Sequence, residues 1–137
     1  MLVHRRKFRI EWGQCDPAGI VFYPQYFAMF DVSTAQLFEC TGLSGSEMRK
    51  KYDTIGCPLV DAGANFLRPC FYDDMVTAEC EVAEWGRSSF TVRHRILNGS
   101  ELAVEGFEKR IWAKSHPERP GIKPEPVPDE IKASLSG

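Results

Sequence analysis

The stretch that decides how this chain folds is Gly13–Phe27, GQCDPAGIVFYPQYF. It places a lone acidic residue, Asp16, in a turn with Pro17 and Gly19, then runs through Ile20, Val21, Phe22 and Tyr23 to a second proline, Pro24. A solvent-exposed turn has no need of that apolar run. Pro24 suits the first position of a helix, where its missing N–H costs nothing. Beyond it Phe27, Phe30, Thr34, Leu37, Phe38 and Thr41 recur at spacings of three and four. That spacing predicts a helix with one buried face, ended by Gly42. The carboxylate at its head is either packed there or held in an apolar pocket for chemistry.

Outward from this helix the period changes. Val3–Glu11 reads as a first strand, and a short second helix is predicted over Ser44–Tyr52, where Ser44 and Glu47 form a capping-box pattern. TIGCPLVDAGANFLR reads as a long strand, with Pro58 at a bulge or an edge position. Val76, Ala78, Cys80 and Val82 alternate with polar residues, as do Phe90, Val92, His94 and Ile96. Both segments describe half-buried antiparallel strands. Asn98–Ser100 marks a hairpin turn, and Leu102–Lys114 its second strand, with a bulge expected at Gly106. The tail, about residues 115–137, carries five prolines and is expected to be extended.

The predicted order is therefore strand, long helix, short helix and four strands in a single domain, residues 1–137. One amphipathic helix cannot cover both faces of a five-stranded antiparallel sheet. The expected fold is α+β, with the sheet wrapped around one long central helix and other surface left for a second subunit. Composition narrows the partners. With 17 basic and 19 acidic residues the net charge is −2, which gives no field for nucleic acid or a membrane. No apolar run approaches the ~18 residues of a membrane span. The five cysteines are odd in number and form no C-x-x-C pair, which argues for a reducing, cytoplasmic setting and against a zinc site.

Asp16 has an ordinary reading, a turn aspartate bonded to nearby amides. Its neighbourhood adds a second one. A helix N-terminus presents free N–H groups and the positive end of a dipole. A carboxylate facing it makes a site for a polarised carbonyl, as acyl transfer or hydrolysis requires. Cys15 has no visible base or cation to activate it and reads as packing. His94 falls on the apolar side of its strand and reads as a core or interface histidine.

CDPAGIVFYPQYF, with the downstream YDD, EWGRSSF and HPERP segments, resembles the 4-hydroxybenzoyl-CoA thioesterase branch of the hot-dog-fold superfamily. The resemblance runs from about Arg9 to Pro128. It implies an acyl-CoA thioesterase without metal or cofactor, acting on an aromatic acyl-CoA such as 4-hydroxybenzoyl-CoA. It also implies dimers formed edge to edge, which pair as homotetramers with active sites between subunits. Carried over by position, Asp16 would be the catalytic carboxylate, as nucleophile or as general base. The Tyr23 backbone N–H would bind the carbonyl oxygen, and Gly19 would let the loop approach the thioester. Asp31 would contact a hydroxyl of the acyl group, with Phe27 at the edge of the aryl pocket; on general grounds Asp31 reads equally as a rim aspartate paired with an arginine. Arg87, Ser88, Ser89, Arg119 and Lys123 would bind the coenzyme A phosphates. Here the chain departs from the family, which has further basic residues where Gly86 and Ser88 stand.

Three other functions remain open at this level: a thioesterase for short, medium or other aryl acyl groups, a hot-dog hydratase or dehydratase, and a non-catalytic acyl-CoA-binding protein. The hydratase ranks low, because no histidine lies between Glu11 and Cys40.

Overall fold

The period-two segments form the middle of a single sheet. The computed structural model describes residues 2–115 and 121–136, so Arg119 lies outside the described residues. Strands β3 (Met75–Trp85), β4 (Ser89–Asn98) and β5 (Glu101–Ile111) pair antiparallel, with Val82 opposite Val92 and Ile96 opposite Val104. Strand β1 (His4–Arg9) adds to β3, and β2 (Leu59–Phe66) adds to β5, both antiparallel. The order is β1-β3-β4-β5-β2, which leaves β1 and β2 at the edges. Pro58 lies just ahead of β2, whose register shifts between Leu59 and Asp61, in keeping with a proline at an edge.

Helix α1 (Pro24–Glu39) buries Tyr26, Met29, Phe30, Leu37 and Phe38. Tyr26, Met29 and Phe30 pack with Val76, Ala78 and Ile96, whereas Leu37 and Phe38 pack with Cys80, Val82, Phe90 and Val92. Helix α2 (Gly45–Tyr52) begins with the expected capping box: Ser44 Oγ accepts from the Glu47 amide at 3.2 Å and Glu47 Oε1 from the Ser44 amide at 3.4 Å.

Three expectations are revised. Instead of one long central helix, α1 spans 16 residues and shares the covering of the sheet with two others. The tail is not extended throughout. After a two-stranded ribbon of β6 (Ala113–Ser115) and β7 (Ile122–Pro124), residues Asp129–Ser136 form α3. The prolines end at Pro128, whose carbonyl accepts from Ile131 and Lys132. Asp129 and Glu130 then occupy the first turn, where acids suit the dipole. Ile131 and Leu135, one helical turn apart, are fully buried beside Met48 and Trp112. Each such side chain stabilises by about 1.5–3 kcal/mol, which is why the segment folds back.

The bulge expected at Gly106 is also displaced. The β4–β5 register shifts between Ile96 and Leu97, while Gly106 pairs regularly with His94 and Ala64. Glycine is needed there for space, since a Cβ would lie 2.6 Å from the Phe30 ring and 2.6 Å from the Gly63 carbonyl oxygen.

Candidate active site

The Asp16 turn is a short, tightly bonded hairpin. Cys15 and Val21 form an antiparallel bridge, the Asp16 amide donates to Ile20 O at 2.9 Å, and the Phe22 amide donates to Gln14 O at 2.8 Å. Gly19 closes the turn onto Asp16 O at 2.9 Å with φ +80°, a conformation that costs other residues about 1–2 kcal/mol. The segment ahead of β3 clamps the hairpin from outside: Val21 N donates to Cys70 O and Tyr72 N to Gly19 O, both at 2.9 Å. Within this frame Asp16 is half-buried and its Oδ1 accepts from the Ala18 amide at 2.8 Å. That bond is the ordinary Asx turn. It leaves Oδ2 without a partner among the described residues. Burial and the neighbouring Asp16 charge push the Cys15 thiol up, away from the thiolate that a nucleophile needs.

The start of α1 narrows the set of free donors. Pro24 has no N–H, while the Gln25 and Tyr26 amides donate back to Phe22 O and Tyr23 O at 2.9 and 3.1 Å. Among the described residues the Tyr23 amide alone is left at this terminus without an acceptor. It lies beyond the end of the hairpin strand, about three extended residues, ~10 Å, from the position of Asp16. An open, mainly apolar depression of about 430 Å³ adjoins it, lined by Val21, Tyr23, Tyr26, Phe66 and Leu67. Tyr23, Phe66 and Leu67 are exposed. Phe27 is half-buried against the core, edge-on to Phe30 at 5.8 Å, and is not among the residues lining this depression.

Asp31 lies elsewhere, on the exposed border of α1 at the rim of a second cavity of about 430 Å³ that Asp16 does not line. Its Oδ1 accepts from Arg110 Nη2 at 2.8 Å, so it is a paired rim carboxylate. Behind the arginine is a buried polar cluster that sequence reasoning missed. Arg110 Nη2 also donates to Glu108 Oε2 at 2.6 Å, and His94 Nε2 donates to Glu108 Oε1 at 2.9 Å. Thr34 Oγ1 donates to the same Oε1. Burial pushes the Glu108 carboxyl up, but the bonds from His94, Arg110 and Thr34 outweigh it and hold the group at about 2. The sequence signal for it is the run Val104, Gly106, Glu108, Arg110, whose alternate positions share one face of β5 when Gly106 pairs without a bulge.

The candidate phosphate ligands gather at the other end of the sheet. Arg87 is exposed and Ser88 and Ser89 half-buried in the β3–β4 turn, closed by Gly86 N to Ser89 O at 2.7 Å. The tail runs alongside, with Val127 N donating to Arg87 O and Trp112 N to Ser88 O. Lys123 sits on β7 opposite Lys114, its Nζ 3.5 Å from Glu125. The Asp16 hairpin, in contrast, adjoins the Met75 end of β3 through bonds between Ile10 and Asp73–Asp74. The length of β3 therefore separates the two groups, ~30 Å at ~3.3 Å per residue. Within one protomer Asp16 and Gly19 share one turn, with Tyr23 further along the same hairpin at a depression that neither of them lines. Arg87, Ser88 and Ser89 share another turn, and the two sets are not joined.

Among the described residues no cluster of three or more His, Cys, Asp or Glu side chains could hold a metal, and no helix is long and apolar enough to cross a membrane.

A five-stranded antiparallel sheet with α1 against it and a carboxylate hairpin at the head of that helix is the arrangement of a hot-dog-fold protein. The profile of the thioesterase-like superfamily matches residues 10–135. The 4-hydroxybenzoyl-CoA thioesterase of Pseudomonas sp. strain CBS-3 is 34% identical over 117 residues, 81% of this chain and 83% of that protein. A crystal structure of a mutant 4-hydroxybenzoyl-CoA thioesterase complexed with 4-hydroxybenzoyl-CoA superposes with a TM-score of 0.87 at 31% identity, covering 97% of this chain and 98% of the other. A gentisyl-coenzyme A thioesterase superposes with a TM-score of 0.82 at 28% identity, covering 98% of this chain and all (100%) of the other. The chain belongs to the thioesterase-like superfamily, among the hot-dog-fold acyl-CoA thioesterases. It is an enzyme, a thioester hydrolase.

Proposed function

We propose that the chain hydrolyses an aromatic acyl-CoA, 4-hydroxybenzoyl-CoA or a close relative, to the free acid and coenzyme A. The observation that carries this reading is the pairing of a fixed carboxylate with a single free amide. Asp16 is anchored by one oxygen in the Asx turn, and at the adjacent helix start only the Tyr23 N–H lacks an acceptor among the described residues. A thioester carbonyl between them would direct its oxygen at Tyr23 N–H, where negative charge develops. Asp16 would then attack the carbonyl carbon, or take a proton from water that does so, within ~3 Å. In the first route the C–S bond breaks as an acyl–aspartyl anhydride forms, and water then cleaves that anhydride to the free acid and restores the Asp16 carboxylate. In the second, water adds to the carbonyl directly and the C–S bond breaks. In both, the coenzyme A sulfur leaves as thiolate and takes up a proton. No cofactor is required beyond the coenzyme A of the substrate.

The separation of the two residue sets supports a homodimer, or a tetramer as a dimer of dimers, as the working unit. If Asp16 of one protomer and Arg87, Ser88, Ser89 and Lys123 serve one thioester, those phosphate ligands come from another copy. The exposed edge strand β2, with Leu59, Val60 and Phe66 exposed, supports such pairing. Asp31 lies ~12 Å further along α1 than Tyr23, at ~1.5 Å per residue. One substituted aromatic ring hydrogen-bonded at both ends has a comparable reach, so a hydroxylated aryl group is the substrate that could extend from the depression at Tyr23 to the separate cavity that Asp31 rims. The low net charge and free cysteines fit a cytoplasmic enzyme with no nucleic-acid or membrane partner. Phe27, tucked against Phe30, would then support the pocket wall.

The test is thiol release from 4-hydroxybenzoyl-CoA, benzoyl-CoA and an aliphatic thioester, with wild type and Asp16→Asn. Preference for the aryl thioesters is expected, with a loss of about 10²-fold or more in the variant. Equal activity of Asp16→Asn would refute the catalytic role, and an aliphatic preference would refute the substrate class.

A further inference from the structure

An ion pair is an inefficient way to fill a core, because apolar side chains of similar volume do so without desolvating two charges. Glu108 is nevertheless buried and Arg110 half-buried on the α1-facing side of β5, with side chains 3% and 11% exposed. The guanidinium is bound on several sides. Nε and Nη2 donate to Glu108 at 3.3 and 2.6 Å, and Nη1 donates to the Cys57 carbonyl at 2.9 Å. Thr34 and His94 hold the Glu108 carboxylate from the other side. What this clamp delivers outward is one contact, Nη2 to Asp31 Oδ1, on a side chain 69% exposed at the cavity rim. An exposed aspartate otherwise samples several rotamers; here one oxygen is tied, and the second has no partner among the described residues.

We infer that Arg110, clamped by Glu108, is a specificity-determining positioning residue: it fixes Asp31 so that the second carboxylate oxygen accepts a hydrogen bond from a hydroxyl on the acyl group. The inference rests on the hydroxyaryl reading of Asp31 given above. It assigns the discrimination to a chain of four side chains, Thr34 and His94 on Glu108 and Glu108 on Arg110, of which none touches the substrate.

The experiment measures kcat/KM for 4-hydroxybenzoyl-CoA and benzoyl-CoA in wild type, Arg110→Lys, Asp31→Asn and the double variant. Lysine keeps a cation beside Glu108 and so protects the fold. One ammonium cannot span Glu108, the Cys57 carbonyl and Asp31 together. The preference for the hydroxylated substrate is expected to fall about tenfold in Arg110→Lys. In the Asp31→Asn background the same substitution should leave the ratio unchanged, because Arg110 acts only through Asp31. Glu108→Gln, which loosens the clamp and leaves Arg110 and Asp31 in place, should move the ratio in the same direction. An unaltered ratio in both single variants, equal losses on both substrates, or additive losses in the double variant would overturn the inference. A wild type that prefers the hydroxylated ring while Arg110→Lys keeps that preference refutes the positioning role alone. A wild type indifferent to the hydroxyl refutes the Asp31 reading and this inference with it.

Discussion

Replacing Glu108 with glutamine keeps the size and most of the hydrogen bonds of the side chain and removes its charge. The wild-type carboxyl is held at about 2 in the folded protein, against 4.5 for the free group. A depressed carboxyl stabilises the fold above its unfolded pKa, and that contribution is lost as pH falls towards the folded value. At ~1.4 kcal/mol per unit, the displacement corresponds to about 3 kcal/mol, present at pH 7 and removed progressively between pH ~5 and ~2. Glutamine stands in for the protonated form. Urea unfolding of wild type and Glu108→Gln across pH 7 to 2.5 should therefore show a gap of about 3 kcal/mol at neutrality that closes as the pH falls. Other carboxylates titrate in the same window in both proteins, so the difference between the two curves is the relevant quantity. Parallel curves, with a gap independent of pH, would refute the assignment of an ionised Glu108 bonded by His94, Arg110 and Thr34.

Two further substitutions test the fold that supports the site. Gly106→Ala places a methyl 2.6 Å from Phe30 and from the Gly63 carbonyl oxygen; a loss of about 1–3 kcal/mol and a lower Tm in thermal melts are expected, and an unchanged melt would contradict the close approach of β2, β5 and α1. Ile131→Ala removes a fully buried side chain from the α3 contact. It should cost about 2–5 kcal/mol in denaturant unfolding, whereas a mobile, undocked tail would register no change.

What was legible in the sequence follows from how local the signal was. The alternation at Val76–Val82 and Phe90–Ile96, the Pro24 start and the Ser44–Glu47 box each lie within one element, and each element formed where expected. The α3 helix was hidden because its apolar pair, Ile131 and Leu135, follows a proline-rich approach and acquires meaning only against Met48 and Trp112, distant in sequence. At Gly106 the sequence alone is ambiguous: a strand glycine marks either a bulge or a close approach, and the Phe30 ring that decides between them belongs to another element. The Glu108–Arg110 cluster is legible only once Gly106 is known to pair in register, which puts Val104, Glu108 and Arg110 on one face of β5. The separation of Asp16 from Arg87 is a property of the sheet, invisible until β3 has a direction and two ends.

The turn role of Asp16 and its proposed chemical role are not rivals. A carboxylate that must reach a carbonyl carbon gains from being held in one rotamer before substrate arrives. Accepting the Ala18 amide through Oδ1 selects that rotamer, and with one oxygen fixed the plane of the other is fixed as well. The hairpin under it is in turn held by backbone bonds to Cys70 and Tyr72, so little reorganisation is left for the reaction step. At the facing helix, Pro24 removes one competing donor and the first-turn bonds of Gln25 and Tyr26 remove two more, which concentrates the terminal field on Tyr23. A loop that served packing alone would have no use for that concentration. Asparagine at position 16 can still accept from Ala18 and keep the turn, while losing the charge that attack or proton abstraction needs. An inactive Asp16→Asn enzyme with a wild-type melting curve would therefore separate the two roles, and a variant that unfolds would show that the charge itself, beyond the turn bond, holds the hairpin.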